Sequence, residues 1–129
     1  MTVAFTCVEN SCRSQMAEAM AKKMFPNQGI EFVSAGTHPA DKVDADTLEI
    51  LEEQGIKWKG GPKSFEEIGK PDILITMGCD VVCPVLPGVR LIEWDISDPK
   101  GKGTDVYRNV VEVIKDNLIR LMEEIKTFG

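Results

Sequence analysis

Short apolar runs alternate with helical repeats along almost the whole chain. The apolar runs are rich in β-branched and aromatic side chains, which is typical of strands, and they cover residues 2–6, 30–34, 72–77 and 89–94. Between them, apolar residues recur every three or four positions, as in amphipathic helices. Helices are predicted over residues 14–25, 45–54 and 64–69, and in a long final segment capped by Thr104. The final segment's apolar stripe comprises Val106, Val110, Val113, Ile114, Leu118, Leu121 and Ile125.

The order of these elements, β-α-β-α-α-β-β-α, favours a mostly parallel sheet, because parallel strands need crossover connections that are usually helical. A length of 129 residues suits one domain. We therefore predict a single three-layer α/β domain over residues 1–129, with about four parallel strands and helices on both faces. Ligands of such sheets bind beyond the carboxyl ends of the strands, here after positions 6, 35, 78 and 95.

Composition excludes several kinds of partner. The chain is 43% hydrophobic and 28% charged, which is ordinary for a globular protein. Its net charge of -6 disfavours nucleic acid, since a phosphate-binding surface is expected to be basic. The longest uncharged run, residues 81–89, is too short to span a membrane. The first ten residues lack the basic start and apolar stretch of a secretory leader, so we expect a cytoplasmic protein with reduced thiols.

The segment after the first predicted strand carries the strongest chemical signal. Cys7 ends the strand, five residues form a loop, and Arg13 opens the helix. A loop that enters a helix presents free N–H groups and the positive end of the helix dipole, which suits a tetrahedral oxyanion. Arg13 is expected to hold two oxygens through its planar fork. The same field stabilises a Cys7 thiolate, which becomes a nucleophile facing the anion.

The predicted oxyanion-binding loop consists of Val8, Glu9, Asn10, Ser11, Cys12, Arg13 and Ser14. Ser14 is expected to donate a hydrogen bond to the thiolate, and Asn10 tolerates a left-handed backbone. Cys12 is interpreted as a small apolar loop residue. The competing interpretation is that Cys7 merely packs at a strand end and that Arg13 is a solvated helix residue.

A second cysteine pair, Cys79 and Cys83, follows the third predicted strand. The carboxyl end of that strand faces the Cys7 loop in a doubly wound sheet, so three thiols can converge. This arrangement supports a relay in which Cys79 attacks a modified Cys7 and Cys83 then attacks Cys79. Two alternatives stay open: a pair of buried apolar side chains, or half of a zinc site. The single histidine, His38, disfavours zinc, and we predict no metal site.

Three segments carry a resemblance to a known family: CVENSCRSQMAEA from Cys7, SAG at residues 34–36, and WDISDP at residues 94–99. They resemble the low-molecular-weight protein tyrosine phosphatase superfamily, and more closely its thiol-coupled arsenate reductases. The resemblance implies a low-molecular-weight phosphatase-like fold and makes Asp98 the general acid. The alternative interpretation is that Asp98 only opens a turn before Pro99. The phosphatases usually have glycine where Glu9 stands, and an acid there should weaken anion binding unless it points outward.

The expected function is reduction of arsenate to arsenite by Cys7 and a Cys7/Cys79/Cys83 disulfide relay. No bound cofactor is needed, because thioredoxin or a similar thiol reductant supplies the electrons. One alternative is a phosphomonoester hydrolase that uses Cys7, Arg13 and Asp98 alone. A second alternative is a non-catalytic module that binds an oxyanion or a metal through thiolates.

Overall fold

The computed structural model describes residues 1–78 and 87–128. The strands are β1 (Thr2–Cys7), β2 (Glu31–Gly36), β3 (Ile73–Thr76) and β4 (Arg90–Glu93). The helices are α1 (Arg13–Met24), α2 (Ala45–Glu53), α3 (Phe65–Ile68) and α4 (Thr104–Phe128). Each predicted element is present, and its ends differ from the predicted ones by at most two residues. No helix in these two ranges has both the length and the apolar character needed to cross a membrane.

All strand pairs are parallel, and the strand order is β2-β1-β3-β4. The predicted α/β fold class with a four-stranded parallel sheet is therefore confirmed. The chain leaves β1 on one side to form β2, whereas β3 pairs with β1 on the other side. The carboxyl end of β1 lies where the strand order reverses, which is the usual ligand position in such sheets. Cys7 is therefore the strand residue closest to the expected site, paired in register with Gly36.

The core lies between one face of the sheet and the three longer helices. Phe5 of β1 is fully buried, and its ring lies 6.3 Å from that of Phe32 and 5.7 Å from that of Trp94, centroid to centroid. α1 packs on β1 and β2, and α4 packs on α1 and α2. The prediction that Val113 faces this core is wrong, because its side chain is 43% exposed. It precedes buried Ile114 by one residue, about 100° around the helix.

Tyr107 ties the first turn of α4 to the start of α2. Its side chain is fully buried, and its hydroxyl donates to a carboxylate oxygen of Asp44, the residue before α2. The Thr47 hydroxyl donates to the same oxygen over 3.1 Å. Burial raises the pKa of Tyr107, so its hydroxyl stays a donor. Asp44 also donates its backbone N–H to the Ser11 carbonyl over 2.9 Å, so this cluster reaches the predicted anion loop.

Replacing Tyr107 by phenylalanine removes the hydroxyl and keeps the ring. Because the partly buried Asp44 carboxylate then loses one of its two side-chain donors, we expect the free energy of unfolding to fall by roughly 1 kcal/mol. Urea denaturation followed by circular dichroism measures the change, with an unchanged slope as the sign of an intact fold. An unaltered midpoint would show that the hydroxyl contributes nothing to stability.

Candidate active site

The loop between β1 and α1 turns its carbonyl groups outward. Four consecutive carbonyls accept hydrogen bonds of 2.8 to 3.0 Å: Val8 from the N–H of His38, Glu9 from that of Ala40, Asn10 from the Gln15 side chain, and Ser11 from the N–H of Asp44. In a trans peptide the following N–H points opposite to the carbonyl. The N–H groups of residues 9–12 therefore point to the other side, towards the pocket that the loop lines. The loop therefore has the geometry expected of a cradle for an oxyanion.

Two residues allow the backbone of this loop to turn sharply and to pack against β2. Asn10 has a φ of 51°, the left-handed conformation predicted for it. Gly36, at the end of β2, touches the loop backbone, and a Cβ there would lie 2.6 Å from the Val8 carbonyl oxygen and 2.9 Å from the Asn10 nitrogen. No side chain fits at that point, so the loop can lie directly against β2 only because position 36 is glycine.

Cys7 lies at the floor of the pocket with its side chain buried. Its Sγ is 2.9 Å from the Ser14 Oγ, the contact predicted from the sequence. The Asn10 side-chain amide donates to the same Ser14 oxygen over 2.7 Å. With that hydrogen directed at the oxygen, the Ser14 hydroxyl hydrogen is left to point at the sulfur. The arrangement suits a thiolate that accepts a hydrogen bond.

The two sides of the Arg13 guanidinium have different surroundings: one is bonded to the protein backbone and the other faces the pocket. Nη1 donates to the carbonyls of Met77 over 2.8 Å and Ile96 over 2.7 Å, beyond the ends of β3 and β4. Nε is buried and has no hydrogen-bond partner among the described residues. Nη2 lies 4.0 Å from Asp98 Oδ2. The Nε–Nη2 edge therefore faces the pocket with its donors available, which fits the predicted grip on two oxygens of an anion.

Asp98 borders the same pocket and also forms a turn. Its Oδ1 accepts the backbone N–H of Lys100 over 3.0 Å, and its Oδ2 is the oxygen closest to Arg13. The side chain is about half exposed. Both sequence interpretations of Asp98 are thus compatible with its position: it opens a turn, and its carboxylate reaches the anion site.

The second predicted cysteine pair cannot be placed. Cys79 and Cys83 fall within residues 79–86, outside the described residues. Gly78, the last described residue before them, lies against Arg13, because a Cβ there would be 2.4 Å from Nη1. Within residues 1–78 and 87–128, no three His, Cys, Asp or Glu side chains are placed to hold a metal ion.

The sequence model of a known family matches almost the whole chain. It describes the low molecular weight phosphotyrosine protein phosphatases and covers residues 2–128. The chain belongs to this family. A relative within it, a putative arsenate reductase of Halobacterium salinarum, is 31% identical over 127 residues, which are 93% of this chain and 89% of the relative.

Solved structures of arsenate reductases share this fold. An arsenate reductase from Archaeoglobus fulgidus has a TM-score of 0.80 and 33% identity, covering 92% of this chain and 97% of its own. A thioredoxin-dependent arsenate reductase from Corynebacterium glutamicum has a TM-score of 0.77 and 32% identity, covering 99% of this chain. This chain spans 63% of that longer one. The predicted resemblance to arsenate reductases of the phosphatase superfamily is confirmed.

Glu9 stands at the position where the phosphatases usually have glycine. Glu9 borders the pocket, and its exposed carboxylate lies 3.5 Å from the Lys100 Nζ, which is also 3.3 Å from the Ser11 Oγ. Lys100 therefore neutralises Glu9 at the mouth of the pocket. The pocket itself is small, about 40 Å³. A larger cavity of about 640 Å³ lies at the opposite ends of β1 and β2 and contains none of the predicted site residues.

Cys12 is a core residue, as predicted. Its side chain is 4% exposed and packs within the hydrophobic cluster. Burial raises the pKa of Cys12 to about 12, although a hydrogen bond with Thr47 acts in the opposite direction. The Cys12 thiol is therefore neutral at physiological pH and is not a nucleophile there.

Three residues that support the loop were not assigned a role from the sequence. The Gln15 side chain binds Asn10, the Trp58 indole binds Gln15, and the backbone N–H of Lys63 donates to Asn10 Oδ1 over 2.9 Å. Trp58 and Lys63 lie far from the loop in sequence. The only signals are local: Gln15 follows Ser14 directly, and an indole N–H usually finds an acceptor when it is buried.

Replacing Lys100 by methionine leaves Glu9 unpaired beside the anion site. We expect the dissociation constant for inorganic phosphate, used as a tetrahedral probe, to rise about fivefold, corresponding to roughly 1 kcal/mol. Isothermal titration calorimetry at low salt measures it. Adding Glu9→Gln in the Lys100→Met background should restore most of the affinity. If the single and double variants bind equally, Glu9 does not oppose the anion.

The raised pKa of Cys12 predicts its resistance to alkylation. At pH 8 the folded protein should leave Cys12 unmodified by iodoacetamide over a period in which urea-unfolded protein is fully labelled, because the buried thiol stays protonated up to a pH of about 12. Peptide mass spectrometry locates the label. Rapid labelling of Cys12 in the folded state would contradict its burial.

Proposed function

We propose that this protein is an arsenate reductase whose nucleophile is Cys7. The observation that carries the proposal is the Cys7 sulfur beside the Ser14 hydroxyl, at the floor of a cradle that also contains the free Nε–Nη2 edge of Arg13. Such a cradle suits a tetrahedral oxyanion, and the named relatives in the family are arsenate reductases.

In the first step the pocket binds arsenate through the N–H groups of residues 9–12 and the guanidinium of Arg13. The Cys7 thiolate attacks arsenic and a sulfur–arsenic bond forms. One arsenate oxygen leaves as water after taking a proton from Asp98, whose carboxyl group borders the pocket. The product is a covalent thiol–arsenate adduct in which arsenic is still pentavalent.

The redox step needs a second thiol. Cys79 attacks the Cys7 sulfur, and the sulfur–arsenic bond breaks. Its electron pair stays on arsenic, which leaves as arsenite, while a Cys7–Cys79 disulfide forms. Cys83 then attacks Cys79, which frees Cys7 and leaves a Cys79–Cys83 disulfide. The support for this relay is the four-residue spacing of the pair and the contact between Gly78 and Arg13 at the pocket.

An external thiol protein of the thioredoxin type reduces the final disulfide in this proposal. A related arsenate reductase is described as thioredoxin-dependent, which supports that choice. No bound cofactor takes part, because the electrons pass only through sulfur. Since the cycle depends on reduced thiols, we propose that the protein works in the cytoplasm.

A phosphomonoester hydrolase is the second candidate, because the family takes its name from phosphotyrosine phosphatases. It would use Cys7, Arg13 and Asp98 and hydrolyse a cysteinyl-phosphate with water. The described surroundings of the site favour a small free anion instead. Lys100, Gly101 and Lys102 follow Pro99 where a phenyl group would need apolar walls.

A coupled assay tests the proposal. Arsenate, thioredoxin, thioredoxin reductase and NADPH are mixed with the protein, and glutaredoxin with glutathione replaces the thioredoxin system in a parallel reaction. We expect arsenate-dependent NADPH oxidation, which Cys7→Ser abolishes. Cys83→Ser should complete one turnover and then stop with a Cys7–Cys79 disulfide, visible by peptide mass spectrometry. Asp98→Asn should lower kcat by roughly 10²-fold, and Asp95→Asn, its exposed neighbour, should not.

Three outcomes would contradict the proposal. Full steady-state arsenate turnover by Cys83→Ser would show that Cys83 is not needed and would contradict the relay. Rapid hydrolysis of an aryl phosphate without NADPH consumption would favour the phosphatase. Stoichiometric zinc in the purified protein together with no turnover would favour a binding module.

A further inference from the structure

A chain of hydrogen bonds leads from a tryptophan beyond α2 to the sulfur of Cys7. The Trp58 Nε1 donates to the Gln15 Oε1 over 2.7 Å. The Gln15 Nε2 lies 3.0 Å from the Asn10 carbonyl and 3.1 Å from Asn10 Oδ1. The Asn10 Nδ2 donates to Ser14 Oγ over 2.7 Å, and Ser14 Oγ is 2.9 Å from Cys7 Sγ. Four successive contacts thus join the indole to the proposed nucleophile.

The direction of this chain is set by groups that can only donate. An indole N–H has no acceptor, so the Gln15 side-chain oxygen must face Trp58 and its NH2 group must face Asn10. The backbone N–H of Lys63 donates to Asn10 Oδ1, so the Asn10 NH2 group must face Ser14. Both amide orientations are therefore fixed, and the Ser14 hydroxyl hydrogen is left for the Cys7 sulfur.

The middle of the chain is closed to water. Gln15, Asn10 and Ser14 are all completely buried, so a broken contact cannot be replaced by solvent. The outer end is held by packing. Lys22 Nζ lies 5.4 Å from the Trp58 ring centroid, and a Cβ on Gly60 would come within 2.4 Å of the ring, so the indole has little freedom to turn away.

We propose that Gln15 and Trp58 are positioning residues that keep the Ser14 hydroxyl directed at the Cys7 sulfur. The inference rests on the proposed function only in taking Cys7 as the nucleophile. When the chain is interrupted, Asn10 keeps the Lys63 N–H but loses the support of Gln15, so the Asn10 amide and the Ser14 hydroxyl that it orients are held less firmly. The Cys7 sulfur then loses the hydrogen-bond donor that orients and stabilises it as a nucleophile.

Two substitutions interrupt the chain at different points. Gln15→Glu still accepts the Trp58 hydrogen but cannot donate to Asn10, and Trp58→Phe keeps a ring but removes the donor. Gln28→Glu, at an exposed position, is the matched control for the change from amide to carboxylate. Each variant is compared with the wild type for the rate of Cys7 alkylation by iodoacetamide at pH 7, the dissociation constant for inorganic phosphate, and the Tm.

We expect Cys7 alkylation to slow about tenfold in Gln15→Glu and about threefold in Trp58→Phe, which are the fold-changes expected for the loss of one buried hydrogen bond. Phosphate affinity should change less than twofold in Trp58→Phe, and the control should match the wild type. Gln15→Glu also removes the donor to the Asn10 carbonyl of the cradle, so it should bind phosphate more weakly as well. The double variant should react no more slowly than Gln15→Glu alone, because the chain is already broken there. The alkylation rate is the readout that separates the two roles, because a purely structural role lowers the Tm without slowing the reaction of Cys7.

Unchanged alkylation with a lowered Tm would overturn the inference, and so would additive effects in the double variant. Should Gln15→Glu fail to fold, Trp58→Phe alone decides, since an alkylation rate equal to that of the wild type would contradict the inference. Alkylation uses no arsenate, so the two proposals fail separately. Arsenate turnover with unaltered alkylation in the variants refutes only the positioning role, and slowed alkylation without arsenate turnover refutes only the reductase.

Discussion

The rest of the site depends on the hydrogen bonds that turn the loop carbonyls away from the pocket. Hydrogen bonds from the segment after β2, from the start of α2 and from Gln15 turn these oxygens away from the pocket. The planar peptide then turns the N–H groups inward. Backbone amides favour an anion through their dipoles without adding net charge, so a chain with a net charge of -6 can still offer an anion a local site where Arg13 adds a positive charge.

Arg13 supplies that positive charge and is also part of the framework. One nitrogen of its guanidinium joins the loop to the chain beyond β3 and β4, and the opposite edge is left for a ligand. A lysine could not serve both purposes, because an ammonium is a single point charge without the planar fork. The same side chain therefore sets the width of the pocket and provides two of its donors.

The sequence predicts what depends on neighbours along the chain and misses what depends on distant contacts. Periodicity locates each strand and helix, and the strand-loop-helix context identifies Cys7, Arg13 and Ser14, because these residues lie within eight consecutive positions. Trp58 reaches Gln15 across 43 positions, and Lys100 reaches Glu9 across 91, so no local pattern indicates either contact. The role of Cys79 and Cys83 stays a prediction, since they lie outside the described residues.

The carboxylate of Asp44 has a consequence for how the molecule responds to a ligand. It receives the Tyr107 hydroxyl from α4, 63 positions away, while its own backbone N–H holds the Ser11 carbonyl of the loop. An anion that ordered the loop would through these two contacts also order the first turn of α4. By thermodynamic reciprocity, loosening that turn would then lower the affinity for the anion. The long helix thus supports the loop without contributing a single atom to the lining of the pocket.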